Sequence, residues 1–384
     1  MDYSPLLDIM YITDDPTEMV KLGRTIEKAL PTLYTPSMME KMYEGVERHI
    51  PNESPEKKEE MVYRAIYDWW AYGSNVDEEF YLHFDTKTDA EKKQYLVENL
   101  RSRYVDHLNM GGSWEVIQRL EDKYRLYLRL KPYYRREVIS LSSENDFSIF
   151  EQFVNRHDVF VVKPLNFWYG KGVHKASLQD YGGNIRTAFD SILNEGKRIK
   201  ERHPSRDPQM VLEELIDQDP AMAQLHPQSV NALRITTVRR ADGKIVMYRP
   251  RIKIGMNGEF LASAAQNGVV AEIDPDTGII STDGFNESGV CYQKHPDTGV
   301  TIKGFQIPKW DELLILVDNL NKEMSEFGYI GWDLVLSKAG WCVMEGNYAG
   351  EIASQFILGK GLRGEFEELI GWKLDKDYWW QAKL

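Results

Sequence analysis

The sequence predicts an α+β protein with a helical first third, and three observations lead there. Helix-start signals recur through residues 14 to about 110, and β-type segments interleave with helical ones from residue 137. From Ala232 onward strands and hairpins dominate, broken by one helix over about 308–327.

In the helical third, Asp15-Pro16, Thr35-Pro36 and Ser54-Pro55 each place a capping side chain before a proline at the first helical position. Thr88-Asp-Ala-Glu91 is a capping box that predicts a long helix after it. Tyr63, Tyr67, Trp69, Trp70 and Tyr72 fall on the third helix, which Gly73 closes; helix core is the favoured reading over a lined pocket. The texture changes near Asn109-Met-Gly-Gly-Ser113, so a linker is expected at 108–114. Beyond one further helix come β-type segments at 137–141, 158–163 and 210–216, with helices at 146–156 and 183–202 between them.

Composition narrows the function classes. Hydrophobic residues at 42% and charged residues at 28% are ordinary for a globular protein. With 47 Lys plus Arg against 60 Asp plus Glu the net charge is −13, which argues against a nucleic-acid partner. The only cysteines are Cys291 and Cys342, without metal spacing, which points to a reducing compartment. No basic start leads into an apolar core at the N-terminus, and no apolar run approaches the ~20 residues of a membrane span. A cytoplasmic location without membrane insertion is expected.

Three constellations carry chemistry. In the first, Asp158-Val-Phe-Val-Val-Lys163-Pro164 reads as a strand buried on both faces, ended by Pro164. Lys163 at its end is costly to bury without an anion. The following loop holds Gly170-Lys171-Gly172, whose backbone N–H groups suit phosphate, although a plain surface turn fits equally well. It matches neither the Walker loop nor the dinucleotide fingerprint.

The second constellation is a hairpin around Asp242-Gly243. With those two residues as the loop, Arg234 falls opposite Arg251 and Thr236 opposite Arg249, while Lys253 shares the face. Like charges across a sheet repel, so this face suggests a bound anion; an exposed basic sheet is the alternative. Leu233, Ile235, Ile252 and Ile254 form the apolar reverse.

The third is Gly328-Tyr-Ile-Gly331-Trp332-Asp333-Leu-Val-Leu-Ser337, then Trp341-Cys-Val-Met-Glu345-Gly-Asn347. A three-residue loop over 338–340 places Asp333 opposite Glu345, with Asn347 on the same face. Two carboxylates and an amide oxygen suit Mg²⁺; a rim of solvated acids is the alternative.

Taken in order, these features resemble the ATP-grasp superfamily over roughly residues 118–358, in which two α+β subdomains clasp ATP. The resemblance implies that Lys123, after Asp122, and Lys163 contact ATP phosphates under the glycine loop. It implies that Glu213-Glu214-Leu215-Ile216 is the adenine-reading hinge, and that Asp333, Glu345 and Asn347 hold Mg²⁺. The style of His226-Pro-Gln-Ser-Val-Asn231-Ala-Leu-Arg234 and of Gly331-Trp332-Asp333 is similar to the bacterial sugar-transfer-associated ATP-grasp proteins, found with polysaccharide biosynthesis genes. D-alanine ligases carry an Arg where this chain has Gly331, so an arginine for the acyl phosphate must come from Arg234 or Arg251. Asp217 and Asp219 are candidates for the ribose acid. The implied organisation is a helical region at 1–112, a small subdomain at 113–209 and a large subdomain at 210–384. The implied activity is an ATP- and Mg²⁺-dependent ligase joining a small-molecule carboxylate to an amine, with Arg234, Arg251 and Lys253 acting on the anionic centres. A small-molecule kinase is the alternative.

Overall fold

The computed structural model describes residues 3–165, 172–260, 262, 268–287, 289–350 and 354–381. The chain forms two compact units, one of residues 1–111, 239–244 and 351–384, the other of residues 112–238 and 245–350.

The first unit begins with six helices: α1 Pro16–Ala29, α2 Pro36–His49, α3 Pro55–Tyr72, α4 Val76–Tyr81, α5 Asp89–Lys92 and α6 Glu98–Leu108. Asp15, Thr35 and Ser54 each cap the following helix with a side-chain oxygen, and Gly73 ends α3 at φ 92°. The aromatic residues of α3 are largely core, with Tyr67 and Trp70 fully buried and Trp70 Nε1 donating to Tyr34. At Gly23 of α1 a Cβ would run into the Tyr63 carbonyl, so glycine lets α1 and α3 approach backbone to backbone. The Thr88 capping box forms, but α5 spans only four residues, not a long helix. The Gln355 side chain takes the N–H and C=O of Leu96, holding that segment extended.

In the second unit, α7 Trp114–Glu121 and α8 Lys123–Tyr134 precede a four-stranded antiparallel sheet. Its strands are β1 Val138–Leu141, β2 Val159–Pro164, β3 His174–Ser177 and β4 Met210–Glu214, in the order β1-β4-β2-β3. Helices α9 Phe147–Val154 and α10 Ile185–Arg202 cover one face, where Ile139, Phe160, Val162, Met210 and Leu212 meet Phe150, Phe153 and Phe189. The two-residue period therefore turns Val161, Lys163, Val211 and Glu213 to the other face. Pro164 is the last residue of β2, as expected, and still pairs opposite Met210.

After α11 Pro220–Ala223 comes a seven-stranded antiparallel sheet, ordered β11-β10-β5-β6-β7-β8-β9. It is built from β5 Ala232–Arg239, β6 Ile245–Ile254, β7 Val269–Glu272, β8 Gly284–Phe285, β9 Cys291–Tyr292, β10 Tyr329–Ser337 and β11 Gly340–Asn347. Helix α12 Trp310–Glu323 lies between β9 and β10 in the chain. Trp332, Leu334 and Leu336 are fully buried, and Trp332 meets Leu120 and Leu126 around Gly346. Two further helices that the sequence did not announce, α13 Ser354–Leu358 and α14 Arg363–Ile370, return to the first unit.

Both hairpin loops differ from the expected ones by one residue. Arg240 N donates to Lys244 O and Gly243 N to Arg240 O, so the β5–β6 loop has three residues, with Gly243 at φ 84°. The β10–β11 loop is shorter than expected, because Ser337 pairs with Gly340 and leaves two residues between them. The register then shifts between Asp333 and Leu334, where Met344 forms a bulge on β11, and this shift restores Asp333 opposite Glu345.

Candidate active site

Lys163 and Glu213 are diagonal neighbours across β2 and β4, and the lysine ammonium lies 2.6 Å from the glutamate. Arg136 lies 2.8 Å from the other Glu213 oxygen. Burial works against the charged carboxylate, but Arg136 and Lys163 outweigh it and hold Glu213 at about 2. Arg136 also donates to the carbonyls of Val343 (2.6 Å) and Met344 (3.4 Å), tying the four-stranded sheet to the β11 bulge. Sequence reasoning missed Arg136, because only the β1–β4 register shows what it faces.

Lys123 opens α8, whose N-cap Asp122 accepts from Arg125 N, and its ammonium donates to Leu165 O at 3.2 Å. Burial lowers its pKa, Glu345 opposes the shift and Lys163 adds to it, so the two lysines and Glu345 share one locality. The segment expected to form the hinge leaves β4 at Glu214. No backbone–backbone hydrogen bond involves Leu215 or Ile216 among the described residues. Ile216, Val230 and Met344 are partly exposed around buried Ala232, Val335 and Cys342, giving an apolar floor beside unused backbone groups. Of the glycine loop, Gly170 and Lys171 lie outside the described residues; Gly172 has φ 73° and packs on Pro164.

On the seven-stranded sheet Asp333 is fully buried, opposite Arg234 on one side and Glu345 on the other. Arg234 forks onto it through Nε (2.7 Å) and Nη2 (3.2 Å), and Lys253 reaches it at 2.8 Å. Burial disfavours the Asp333 anion, yet Arg234 and Lys253 outweigh it and hold the carboxyl below the usual range. Glu345 goes the other way, raised by burial and by the neighbouring Asp333 carboxylate. Asn347 Nδ2 donates to Gly331 O at 3.0 Å, and Oδ1 has no hydrogen bond among the described residues.

The expected basic face is present, but each cation confronts an acid. Arg251, 2% exposed, lies opposite Glu272 of β7, and Arg249 reaches the same carboxylate at 3.3 Å. Glu272 was not anticipated; its signal is a lone charge in the apolar run Val269-Val-Ala-Glu272-Ile, the same signal that singled out Lys163. Arg249 holds a left-handed backbone at φ 43°. Gly331 has a structural reason: a Cβ there would sit 3.1 Å from Gly350 Cα and 3.5 Å from the Arg234 guanidinium. The loop from His226 to Asn231 anchors the start of β5, with His226 Nδ1 2.8 Å from Ser229 Oγ and Asn231 Nδ2 donating to Met222 O and His226 O.

Among the described residues no group of three or more His, Cys, Asp or Glu is placed to hold a metal. The donor set present is the Asp333–Glu345 pair with the Asn347 amide, and it fits a hard divalent cation. Arg234 and Lys253 make three hydrogen bonds to Asp333, so about one of its four lone-pair positions is uncommitted.

The profile of the sugar-transfer-associated ATP-grasp family matches residues 117–370, and the chain belongs to that family. Its fold is the ATP-grasp fold. Similar solved structures include D-alanyl-alanine synthetase A from Vibrio cholerae O1 biovar eltor, at 11% identity and TM-score 0.36, covering 62% of this chain and 63% of that one. N5-carboxyaminoimidazole synthetase from Staphylococcus aureus, complexed with ADP, has 13% identity and TM-score 0.41, with 71% and 59% covered. L-amino acid ligase from Bacillus licheniformis has 16% identity and TM-score 0.35, with 64% and 47% covered. The chain thus spans less than two-thirds of the length of each. No curated protein matches it by sequence. No helix among the described residues is long and apolar enough to cross a membrane.

Proposed function

We propose that the chain is an ATP-dependent ligase that joins a carboxylate to an amine through an acyl phosphate. One observation carries this reading: Arg234 and Lys253 converge on Asp333 beside Glu345. That arrangement puts anion-stabilising donors next to a pair suited to a divalent cation. Adenine would lie on Ile216 and Met344 and read the unused backbone groups of Leu215 and Ile216. Lys163 and Lys123 would take the phosphates; Glu213 keeps Arg136 as its partner when Lys163 turns away. Asp333, Glu345 and Asn347 would hold Mg²⁺, which when bound neutralises charge on the polyphosphate.

In the first step an oxygen of the substrate carboxylate attacks the γ-phosphorus and ADP leaves. In the second the amine nitrogen attacks the acyl carbon, a proton leaves the amine, and the C–O bond breaks to release phosphate. Arg234 and Lys253, which meet at Asp333, would serve with Arg251 as the cationic donors to the acyl phosphate. Loss of one such preorganised donor commonly costs ~3–4 kcal/mol of transition-state stabilisation. The substrates would be a small acid, such as an amino acid, and an amine used in cell-surface polysaccharide synthesis.

The test supplies Mg-ATP, a panel of amino acids and uronic acids, and hydroxylamine as a small nucleophile. ADP, phosphate and a hydroxamate are expected with one acid. A stable phosphorylated hydroxyl product, with no hydroxamate from any acid, would make the enzyme a kinase.

A further inference from the structure

The helical unit contains a cavity of about 500 Å³, which lies within the ~300–1,000 Å³ typical of small-molecule sites. Its lining is rings and cations. Tyr72, Tyr95, Tyr378 and Trp379 supply aromatic surface, while Lys93, Arg363 and Lys376 supply charge against a single lining acid, Asp377. Lys92 also lines it, but its ammonium is committed to buried Asp68 at 2.8 and 2.9 Å.

The remaining cations are available to a ligand. Arg363 spends only Nε, on Glu367 (2.9 Å) and Tyr104 Oη (3.2 Å), and its two terminal nitrogens have no hydrogen-bond partner among the described residues. A guanidinium edge of this kind matches a carboxylate or phosphate with two parallel hydrogen bonds. Lys376 makes no ion pair among the described residues, and the Lys93–Asp89 pair is exposed enough to be exchanged cheaply.

The rings add a second requirement. Tyr95 is fixed by its hydroxyl on Gly359 O and by Lys87 over its face, and Tyr378 stacks on Trp380. Fixed rings offer flat apolar faces at little entropic cost. A purely aromatic acid would stack but leave Asp377 and the spare ammonium donors without partners. A hydroxylated ring gives Asp377 hydrogens to accept and the lysines oxygens to donate to.

We propose that this cavity binds an anionic sugar, a hydroxylated ring carrying a carboxylate or a phosphate. The site lies entirely within the first unit, and its test needs no nucleotide and no turnover. Titration calorimetry on the full chain would use D-glucuronate and D-glucose 6-phosphate, with D-glucose and inorganic phosphate as comparators. At least one anionic sugar should bind in the millimolar range or tighter, and at least about tenfold more tightly than either comparator. Which of the two binds better identifies the anionic group. Lys376→Glu, on an exposed residue, should weaken that binding at least about tenfold without changing the melting temperature, and Arg363→Gln should do the same if it folds. Three outcomes would each overturn the proposal. These are binding of neither anionic sugar, binding of D-glucose or phosphate as tight as that of the anionic sugar, and unchanged affinity in Lys376→Glu.

Discussion

Replacing Glu213 by Gln removes one negative charge from between two buried cations. Lys163 lies 2.6 Å and Arg136 2.8 Å from its two oxygens, and all three side chains are less than a tenth exposed. Breaking such a group by deleting one partner costs about 3–5 kcal/mol, because the remaining charges stay buried. An independent route gives the same scale: a carboxyl moved from 4.5 to about 2 is worth about 3 kcal/mol. At about 2–4 °C per kcal/mol for a unit of this size, melting should fall by about 6–20 °C at neutral pH. The sign with pH follows from the depressed carboxyl. Its contribution is complete above pH 4.5 and is lost as pH falls toward 2, so wild type and variant should converge over that range. Saturating Mg-ATP should shrink the neutral-pH difference, since phosphate offers Lys163 a replacement anion. Thermal and urea unfolding with and without nucleotide read all three effects. A difference below ~1 kcal/mol at pH 7, or one that does not narrow on acidification, would refute the reasoning.

Four other substitutions probe the neighbouring groups. Asp333→Asn and Glu345→Gln should each lower turnover at least ~100-fold, yet differ in stability. Asp333→Asn strands Arg234 and Lys253 and should melt lower, whereas Glu345→Gln relieves repulsion between facing carboxylates and should melt unchanged or higher without Mg²⁺. Gly331→Ala forces a Cβ against Gly350 and toward Arg234, so a loss of ~1–3 kcal/mol with reduced turnover is expected in calorimetry and kinetics. Arg251→Met should impair amine-dependent turnover at least ~10-fold more than it weakens ATP binding measured by calorimetry.

What could be read from sequence divides along the range of the interactions. The Pro-at-N1 caps of α1, α2 and α3 are local and formed as expected. Lys163 was legible because a lone charge in an apolar strand needs a partner, and Asp333 and Glu345 because the hairpin pattern set them facing each other. Their partners were harder to find. Arg136 and Glu272 meet Glu213 and Arg251 only through strand registers that no short motif encodes. The facing of Asp333 and Glu345 was expected from a three-residue loop, whereas the protein uses a two-residue loop and a bulge at Met344. Loop length and bulge offset each other, so only the sum was visible. In the first unit the Thr88 capping box set where α5 begins but not its length.

The central claim is that a substrate carboxylate oxygen becomes bonded to the γ-phosphorus, and isotope transfer tests it most directly. The acid selected by the hydroxylamine panel, labelled with ¹⁸O in its carboxylate, is turned over with Mg-ATP and amine, and the released phosphate is analysed by mass. The proposed route delivers one labelled oxygen to each phosphate formed. Phosphate carrying no label, while amide product accumulates, would contradict the acyl phosphate and with it the role given to Arg234, Arg251 and Lys253.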